Sequence, residues 1–323
     1  MYRSTFLLFV SLNFFSIITT LNSCSDDAGA RQNESGKNEV PATMKEPFVL
    51  TDAFKNYWYG GKAEICSYNL KQARYGEIHE GNAITIFVTE DFSASKQVKL
   101  DRLEAAGVDR LPVMKLNLVK KFNTGIYPYS MMLSVFSPVD LHNYPDAVKV
   151  TASVQEWCGI TYMQMNKQGK KYHVASYSYF EEEGDKAMSL EDGIPEDELW
   201  NLIRIAPEKL PEGEHRLLPG SLYTRMTHIP LEVQTAKLSL QQGGTENIYT
   251  IEYTTQQHTL HIHFEKVFPF RITAWEETFP GFDGKLLTTT ATLNKTMMSD
   301  YWKHHNNADR AMREELGLPQ DCQ

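Results

Sequence analysis

The sequence predicts a mainly β fold: a curved antiparallel sheet or half-barrel, clam-like in shape, with two helices of which one is C-terminal. Three observations predict it. Apolar and polar residues alternate with a period of two in several segments, which is typical of strands with one buried and one wet face. Glycine-containing turns separate such segments at hairpin spacing. Strands do not alternate with long helical patterns and no internal repeat is present, which argues against a parallel α/β sheet.

The first element is a lipoprotein signal peptide over residues 1–23. Arg3 precedes an apolar run, Phe6 to Leu21, that is shorter than the ~20 residues needed to span a bilayer. Cys24 then follows Leu21-Asn22-Ser23, a pattern that resembles the bacterial lipobox, in which the cysteine is acylated and becomes the new N-terminus. We therefore predict that Cys24 is lipidated. An ordinary signal peptide with a coincidental cysteine is the alternative.

The second element, residues 24–46, is polar and contains almost nothing to bury, so we predict a flexible tether. Ser25-Asp26-Asp27 at its start resembles the acidic tag that sends Bacteroidetes lipoproteins to the cell surface. We expect a lipid anchor in the outer membrane, on either the periplasmic face or the cell surface. Residues 47–323 contain no further linker and are predicted to form a single β-rich domain.

Alternation and turns place the strands of that domain. The clearest alternating segments are Ala83–Glu90, Val113–Lys120 and Ala147–Gln155. In the first of these, we expect Ile84, Ile86 and Val88 on the buried face and the threonines on the wet face. Later segments are divided into hairpins at Lys167-Gln168-Gly169, Gln242-Gly243-Gly244 and Asp283-Gly284.

Two helices are expected. Pro195–Ile205 opens with a proline and three acidic residues, which favour a helix N-terminus. The second is predicted over about Ser299–Leu316 and is stopped by Gly317. The acidic stretch Glu181–Glu198 is interpreted as a solvated loop, with a Ca²⁺-binding loop as the alternative.

Charge and cysteine content limit the partners. The net charge is −9, and removal of residues 1–23 takes away only Arg3, which leaves about −10. Nucleic acid and anionic membrane surfaces need basic patches, so we expect neither as a partner, and the membrane is reached through the lipid anchor. Cys66 and Cys158 could form a disulfide in an oxidising compartment. We expect them to be unpaired, because one pair gives no framework spacing.

Few residues suggest catalysis. Walker, GxGxxG, GxSxG and HExxH motifs are absent from the sequence, and we predict no cofactor. His261 and His263 share one face of a strand, but zinc needs three or four ligands, so we predict no metal site. Cys158 could be reached by His173 from the following hairpin strand. A secreted hydrolase with a scattered site, at Cys158 and His173 or at His261 and His263, is therefore the alternative function.

A ligand-binding face is suggested by the segment from Tyr68 to Ala83. This segment is predicted to contain a strand, a turn at Tyr75-Gly76, a second turn at Glu80-Gly81 and another strand. Arg74 and Glu77 could pair across the first turn. This pattern resembles the opening hairpin of clam-shaped envelope proteins such as periplasmic lipoprotein carriers, whose curved sheet half-closes around an apolar cleft. The candidate ligand or partner face consists of Arg74, Tyr75, Glu77, Trp157 and Trp302.

A wider resemblance covers most of residues 47–323. It is carried by Trp58-Tyr59-x-Gly61-Lys62-Ala63-Glu64, Arg74-Tyr75-Gly76-Glu77, Val88-Thr89-Glu90-Asp91-Phe92, Lys96-Gln97-Val98-Lys99, Glu156-Trp157-Cys158-Gly159 and Leu199-Trp200-x4-Ile205-x-Pro207-Glu208-x-Leu210-Pro211. These segments are similar to a Bacteroidetes outer-membrane lipoprotein family of uncharacterised function, often labelled "septum formation inhibitor Maf". The chain lacks the Ser-x-Arg-Arg signature of Maf pyrophosphatases, so no catalytic residue is carried over.

These observations lead to one functional hypothesis. We expect a non-catalytic lipoprotein, anchored to the outer membrane, that binds an apolar or peptidic ligand or docks an envelope partner. A carrier of this kind has an apolar cavity with few titratable groups, whereas a hydrolase has converging titratable groups in a cleft.

Overall fold

The computed structural model describes residues 49–191 and 193–320. The predicted signal peptide, the lipidated Cys24 and the tether lie outside these residues. The strands are β1 (Ala63–Arg74), β2 (Glu77–Ser93), β3 (Val98–Lys99), β4 (Arg110–Thr124), β5 (Tyr127–Pro138), β6 (Lys149–Glu156), β7 (Gly159–Gln168), β8 (Lys171–Ser178), β9 (Lys186–Glu191), β10 (Ile194–Pro195), β11 (Gly213–Leu218), β12 (Gln234–Gln242), β13 (Glu246–Tyr253), β14 (His258–Glu265), β15 (Ile272–Pro280) and β16 (Leu286–Ser299). The α-helices are α1 (Asp52–Trp58), α2 (Glu196–Ile205), α3 (Ser221–Thr227) and α4 (Ala311–Glu315).

All described strands belong to one sheet. Its order is β10-β11-β12-β13-β14-β15-β16-β1-β2-β4-β5-β6-β7-β8-β9, with β3 paired to β2 beside this path. Neighbours are antiparallel except β10 and β11, which run parallel. The edge strands are consecutive in sequence, since β9 ends at Glu191 and β10 begins at Ile194. Three residue steps span at most ~11 Å, so the sheet curves until its edges approach each other. The predicted fold class, a curved and open antiparallel sheet, is confirmed.

Helix α2 lies inside the curve of this sheet. The Nδ2 of Asn201 donates hydrogen bonds to the carbonyl of Met114 on β4, at 3.1 Å, and to that of Val135 on β5, at 3.3 Å. Trp200 meets Trp275 of β15 edge-on, with ring centroids 5.3 Å apart. Every side chain of α2 except Leu202 is buried. Because a buried polar group is costly unless it is hydrogen-bonded, the polar residues of α2 need partners within the protein.

The helices differ in part from the prediction. The helix expected over Pro195–Ile205 is present and begins one residue later, with Pro195 as its N-cap. The helix expected over Ser299–Leu316 is wrong: β16 continues to Ser299, and two 3₁₀ turns precede the short α4. Ser299 is paired with Ala63 of β1, so ladder hydrogen bonds win over local helical propensity there. Helices α1 and α3 were not predicted.

Strand β2 is covered on both faces, which corrects the expected alternation. Ala83 and Phe87 face the main core, and Thr85 is fully buried between them. On the other face, Ile84 and Ile86 pack with Leu316, Leu318 and neighbouring residues in a second, smaller cluster. The C-terminal segment therefore covers the outer face of the sheet at this point. The expectation that the threonines of β2 face water is wrong at Thr85.

The acidic stretch Glu181–Glu198 is not one solvated loop. Lys186–Glu191 forms the edge strand β9. Glu196, Asp197 and Glu198 begin α2, and all three are buried. Three acidic residues at a helix N-terminus suit the helix dipole, and this pattern does not distinguish an exposed helix start from a buried one.

Cys66 and Cys158 are both free, as predicted. Cys66 is buried on β1 and Cys158 is exposed in the turn before β7. None of the helices within residues 49–191 and 193–320 is long and apolar enough to cross a membrane.

Candidate ligand-binding site

A cleft of about 600 Å³ opens at one end of the sheet beside α3. We call it the α3 cleft. Its apolar wall is a small hydrophobic cluster, separate from the main core, in which Ala73, Tyr223 and Phe279 are buried and Ile229 and Leu287 pack against them. The residues that line the cleft are Ala73, Arg74, Tyr75, Gly76, Tyr223, Met226, Thr227, Ile229, Thr254, Thr255, Gln256, Gln257, Phe279, Pro280, Gly281, Phe282 and Leu287.

Three chain reversals form the rim of the α3 cleft. The β1–β2 turn places Tyr75 and Gly76 there, with φ of +52° and +80°. Glycine tolerates such a φ without strain, which is the reason for its place in this turn. The β13–β14 turn contributes Thr254–Gln256, a 3₁₀ turn, and the β15–β16 turn contributes Phe282, which is 74% exposed. The cleft therefore lies where hairpins end, the position at which curved sheets open to solvent.

Arg74 is the buried cation of the α3 cleft. It ends β1 and is only 7% exposed. Its Nη1 donates a hydrogen bond to the carbonyl of Met226 at the end of α3, and its Nη2 donates to the hydroxyl of Tyr75 at 3.3 Å. The guanidinium carbon lies 4.3 Å from the centre of the Tyr75 ring and 5.8 Å from that of Tyr129. Cation–π contacts of this kind partly offset desolvation of the charge.

Tyrosine hydroxyls connect Arg74 to Trp157. The hydroxyls of Tyr75 and Tyr129 lie 2.9 Å apart, and the hydroxyl of Tyr127 donates to that of Tyr75 at 3.3 Å. The Tyr127 ring then lies 6.3 Å from the ring of Trp157. Although burial acts to raise it, the pKa of Tyr75 is lowered by the hydrogen bonds from the two tyrosines and by the charge of Arg74. Three of the five predicted face residues, Arg74, Tyr75 and Trp157, are thus brought together.

The other two predicted face residues lie apart from this group. Glu77 pairs with Arg74 through the backbone ladder, but its side chain is exposed while that of Arg74 is buried. Among the described residues no ion pair joins them, so the expected side-chain pairing is wrong. Trp302 is 47% exposed and contacts the ring of Tyr301, which packs against the second cluster on the outer face of the sheet.

A second polar group lies deeper and was missed by sequence reasoning. We call it the interior acid cluster; its residues are Lys120, Glu196, Asp197, His258 and Glu277, all buried. Nε2 of His258 lies 3.3 Å from Oε1 of Glu277. The hydroxyl of Tyr253 donates to Oε2 of Glu196 at 2.8 Å. The ring of Tyr223, which also lines the α3 cleft, stacks on His258 with centroids 3.6 Å apart. Tyr223 therefore separates the cleft from the cluster.

Two carboxylates of this cluster contact the start of α3 directly. Asp197 accepts hydrogen bonds from the amide of Ser221, at 3.1 Å, and from its hydroxyl. A Cβ on Gly220 would lie 2.5 Å from Oε1 of Glu196, so any larger residue there would displace that carboxylate. Asp197 and Gly220 thus join the start of α2 to the start of α3.

Burial controls ionisation in the cluster. Desolvation raises the pKa of Glu196 to about 7 and that of Asp197 to about 6. Desolvation also lowers the pKa of Lys120, against the attraction of Glu277 and of the two acids. The cavity that these groups share has a volume of about 30 Å³. That volume holds a water molecule and no substrate, so the arrangement is ionisable without being a substrate site.

The sequence contains two signals for this cluster. Lys120 is in phase with Leu116 and Leu118, which face the core. His258 is likewise in phase with Leu260 and Ile262, both buried on β14. A charged residue on an apolar face points to a buried charge with a partner. The acidic partners of Lys120 come from α2 and β15, far away in sequence.

The residues of the hydrolase alternative are not brought together. Cys158 precedes β7, whereas His173 on β8 is paired with Asn166 near the far end of β7. Seven residues of strand separate the two positions by roughly 23 Å. The pKa of the Cys158 thiol is raised by its hydrogen bond to the Glu156 carboxylate, whereas a nucleophilic thiol needs a lowered pKa. His173 instead lines a polar depression of about 900 Å³ and contacts Ser189 at 3.1 Å.

The histidines of β14 are divided between the two faces of the sheet. His261 and His263 are half-buried on the outer face, and His258 is buried on the inner face. Nδ1 of His261 lies 2.9 Å from the hydroxyl of Thr250. Within residues 49–191 and 193–320, no group of three or more His, Cys, Asp or Glu side chains could hold a metal ion.

A further cleft lies on the other side of α3. Its volume is about 210 Å³, and it shares Ile229 with the α3 cleft. Its wall includes Val154, Met163, Val174 and Met188 from the strands β6 to β9. Helix α3 and the residues that follow it thus stand between two apolar depressions inside the curved sheet.

The comparisons with known proteins give little beyond this geometry. No protein-family model matches the chain, and no curated protein matches it. The chain is similar to a solved structure, the crystal structure of a β-barrel-like protein of the domain of unknown function DUF1849 from Brucella abortus. The identity is 8% and the TM-score 0.46, over 74% of this chain and 98% of that chain. No conclusion about ligand or activity follows from a likeness at this level.

Proposed function

We propose that this protein is a non-catalytic binding protein that holds an apolar small molecule in the α3 cleft. The observation that carries the proposal is the cleft itself: about 600 Å³ in volume, with an apolar wall from Ala73, Tyr223, Phe279, Ile229 and Leu287. Small-molecule sites in proteins are clefts of roughly 300–1,000 Å³ lined mainly by apolar and aromatic side chains with a few polar groups. The α3 cleft has this size and this lining.

The position of the cleft in the fold supports the proposal. The wall cluster is separate from the main core, so a ligand there would bury apolar surface without disturbing the packing around α2. Burial of apolar surface contributes about 25 cal/mol per Å². The deeper ionisable groups are behind Tyr223 and share a cavity of about 30 Å³. This favours binding over catalysis, because the carboxylates of the interior acid cluster face a space too small for a substrate.

The test is to fill the cleft and to measure binding of a neutral fluorescent apolar probe, N-phenyl-1-naphthylamine, to the full chain carrying Cys24→Ser. Leu287→Trp places a larger side chain in the cleft, and we expect it to weaken binding about tenfold or more. Leu286→Trp is the matched control, because Leu286 is 56% exposed on the same strand and does not line the cleft. Equal affinities in the two variants, or no probe binding to the parent chain, would refute the proposal.

We also propose that the protein acts at the outer membrane, tethered through an acylated Cys24. Support comes from the sequence: the apolar run is short and the cysteine follows a lipobox-like segment. Mass spectrometry of the mature N-terminus after expression in a bacterial host with lipoprotein processing is the test. We expect a diacylated or triacylated cysteine as the first residue. Cleavage at another position, or an unmodified Cys24, would rule out the anchor and leave the proposed binding site unaffected.

A further inference from the structure

We propose that the occupant of the α3 cleft is an amphiphile with one acidic headgroup, a carboxylate or a phosphate, that is held by Arg74. The inference rests on the proposed ligand binding in the same cleft and names the class of ligand.

The guanidinium of Arg74 is fixed in place before any ligand arrives. The carbonyl of Met226 and the hydroxyl of Tyr75 accept hydrogen bonds from its two terminal nitrogens. Its central carbon lies over the Tyr75 ring, 4.3 Å from the centroid. A charge positioned in this way loses little conformational freedom when it binds an anion, which favours affinity.

Arg74 is also buried without a counter-charge. Other arginines removed from solvent each contact a carboxylate: Arg204 meets Glu64 at 2.7 Å, Arg225 meets Glu183 at 3.4 Å and Arg271 meets Glu265 at 2.9 Å. In the part of the chain that the structure describes, no carboxylate forms an ion pair with Arg74, and its Nε is buried with no acceptor. A buried charge is costly unless it is paired. An acidic ligand group would supply the missing partner.

The rest of the site suits the remainder of such a ligand. The hydroxyl of Tyr75 lies beside the guanidinium on the lining of the cleft, and the hydroxyls of Tyr127 and Tyr129 hydrogen-bond to it. In the same cleft, Ala73, Tyr223, Ile229, Phe279 and Leu287 form an apolar wall for a hydrocarbon tail. A polar group and an apolar wall in one cleft favour an amphiphile over a wholly apolar molecule.

The experiment compares four ligands with the same twelve-carbon tail: dodecanoate, dodecyl phosphate, dodecanol and dodecylamine. Each displaces the fluorescent probe from the full chain carrying Cys24→Ser, at pH 8. We expect the tighter of the two acids to bind at least about tenfold more tightly than dodecanol, as one charge-assisted hydrogen-bonded pair allows. The amine should bind most weakly. The ranking of carboxylate against phosphate identifies the headgroup.

Variants then assign the effect to Arg74. Arg74→Met should remove the preference for acid over alcohol and leave dodecanol affinity within about twofold. Arg216→Met is the matched control, since Arg216 is exposed on β11 and does not line the cleft; it should keep the preference. If Arg74→Met does not fold, Arg74→Lys is used in its place, and it should reduce the preference because lysine lacks the planar fork of donors.

The outcomes separate the two proposals. Equal binding of dodecanol and both acids to the parent chain overturns the acidic-headgroup inference and leaves apolar binding in place. Retention of the acid preference in the Arg74 variant overturns the role of Arg74. Failure of all four ligands and of the probe removes the proposed function and this inference together.

Discussion

At the residue scale, the buried ion pair between Arg204 and Glu64 holds α2 to β1. Both side chains are fully buried, and Nη1 of Arg204 lies 2.7 Å from Oε1 of Glu64. The hydroxyl of Tyr57 donates to Oε2 of the same carboxylate at 2.6 Å. Burial acts to raise the pKa of Glu64, but Arg204, Tyr57 and Arg271 outweigh it and hold that pKa below its ordinary value. Such a pair stabilises the fold only while both partners are present.

We therefore predict that Arg204→Met lowers the free energy of unfolding by about 3–5 kcal/mol, because it removes the positive charge that pairs with a buried carboxylate. Urea denaturation followed by far-ultraviolet circular dichroism measures it. Arg110→Met is the control: Arg110 pairs with Asp91 at 2.8 Å on the surface, and losing this solvent-exposed pair should lower the stability far less. Adding Glu64→Gln to Arg204→Met should restore part of the loss. Equal effects of the two arginine substitutions would show that burial of the pair is unimportant.

Glu196 makes stability depend on pH in the opposite sense from an ordinary surface carboxylate. Its pKa is raised to about 7 by burial, so the folded state keeps the proton that the unfolded state releases near its usual value of about 4.3. The contribution of Glu196 to stability is therefore full below that value. It is lost as the pH rises towards 7.

The corresponding prediction concerns Glu196→Gln. Glutamine keeps an oxygen for the hydroxyl of Tyr253 and removes the ionisation. At pH 8 the variant should be more stable than the parent chain by on the order of 2 kcal/mol, and the difference should shrink as the pH falls to 5. Thermal unfolding over this pH range is the measurement. A variant that is less stable at pH 8 would show that the carboxylate is ionised and paired in the folded state.

Sequence reasoning reached part of the site at this scale. Arg74 and Tyr75 were selected from the turn that contains Gly76, and both line the α3 cleft. The interior acid cluster was missed because its members come from β4, α2, β14 and β15, and their proximity depends on the sheet path. Alternation shows which face a residue occupies. It does not show which distant residue lies opposite.

At the scale of elements, the C-terminal segment behaves as a cover for the sheet. Leu316 and Leu318 are buried against Ile65 and Val88 on the outer face of β1 and β2. The hydroxyl of Ser67 on β1 donates a hydrogen bond to the carbonyl of Leu316. This use of the segment explains why a long helix over it was a wrong prediction. Leu316, Leu318 and Tyr301 instead pack on the outer face of the sheet.

Leu316→Ala tests the cover. We expect it to lower the free energy of unfolding by about 2 kcal/mol, towards the low end for a buried leucine because the cluster is near the surface. Trp302→Ala, at a position 47% exposed in the same segment, should change stability by less than about 1 kcal/mol. Thermal or chemical unfolding of both variants is the measurement. If Trp302 proves the more costly of the two, the segment is held by its aromatic pair.

The strands were the elements that the sequence predicted best. The segments Ala83–Glu90, Val113–Lys120 and Ala147–Gln155 all lie largely within strands. Helices α1 and α3, of seven residues each, were missed because so short a helix carries too little periodicity to be read. Their existence depends on packing: Trp58 of α1 and Leu222 of α3 are buried in the main core.

At the scale of the whole molecule, α2 connects strands that are far apart in the sheet. It contacts β4 and β5 through Asn201, β15 through Trp200 and β1 through Arg204. A single buried helix thus contacts much of the inner face. The sequence predicted the helix but not its position, because nothing in its local pattern distinguishes an inner helix from a surface one.

We predict that residues 47–323 unfold in one cooperative transition. Tryptophan fluorescence, which reports buried Trp58, Trp200 and Trp275, should coincide with the far-ultraviolet signal of the strands during urea unfolding. Trp157→Phe and Trp302→Phe together remove the exposed tryptophans and sharpen the comparison. If the midpoint of the fluorescence transition differed from that of the circular dichroism transition, two parts of the sheet would unfold independently.

The arrangement of the sheet edges has a consequence for self-association. An exposed edge strand is a template on which another chain can add a strand, and long free edges promote aggregation. Here β10 has two residues and β9 has six, and each edge is next to the other in sequence. Within the described residues, the free edges of the main path are therefore Lys186–Glu191 of β9, a segment with a charged residue at each end, and Gly213–Arg216 of β11, which β10 does not reach. A molecule that displays sixteen strands thus offers neighbouring copies very little backbone to pair with.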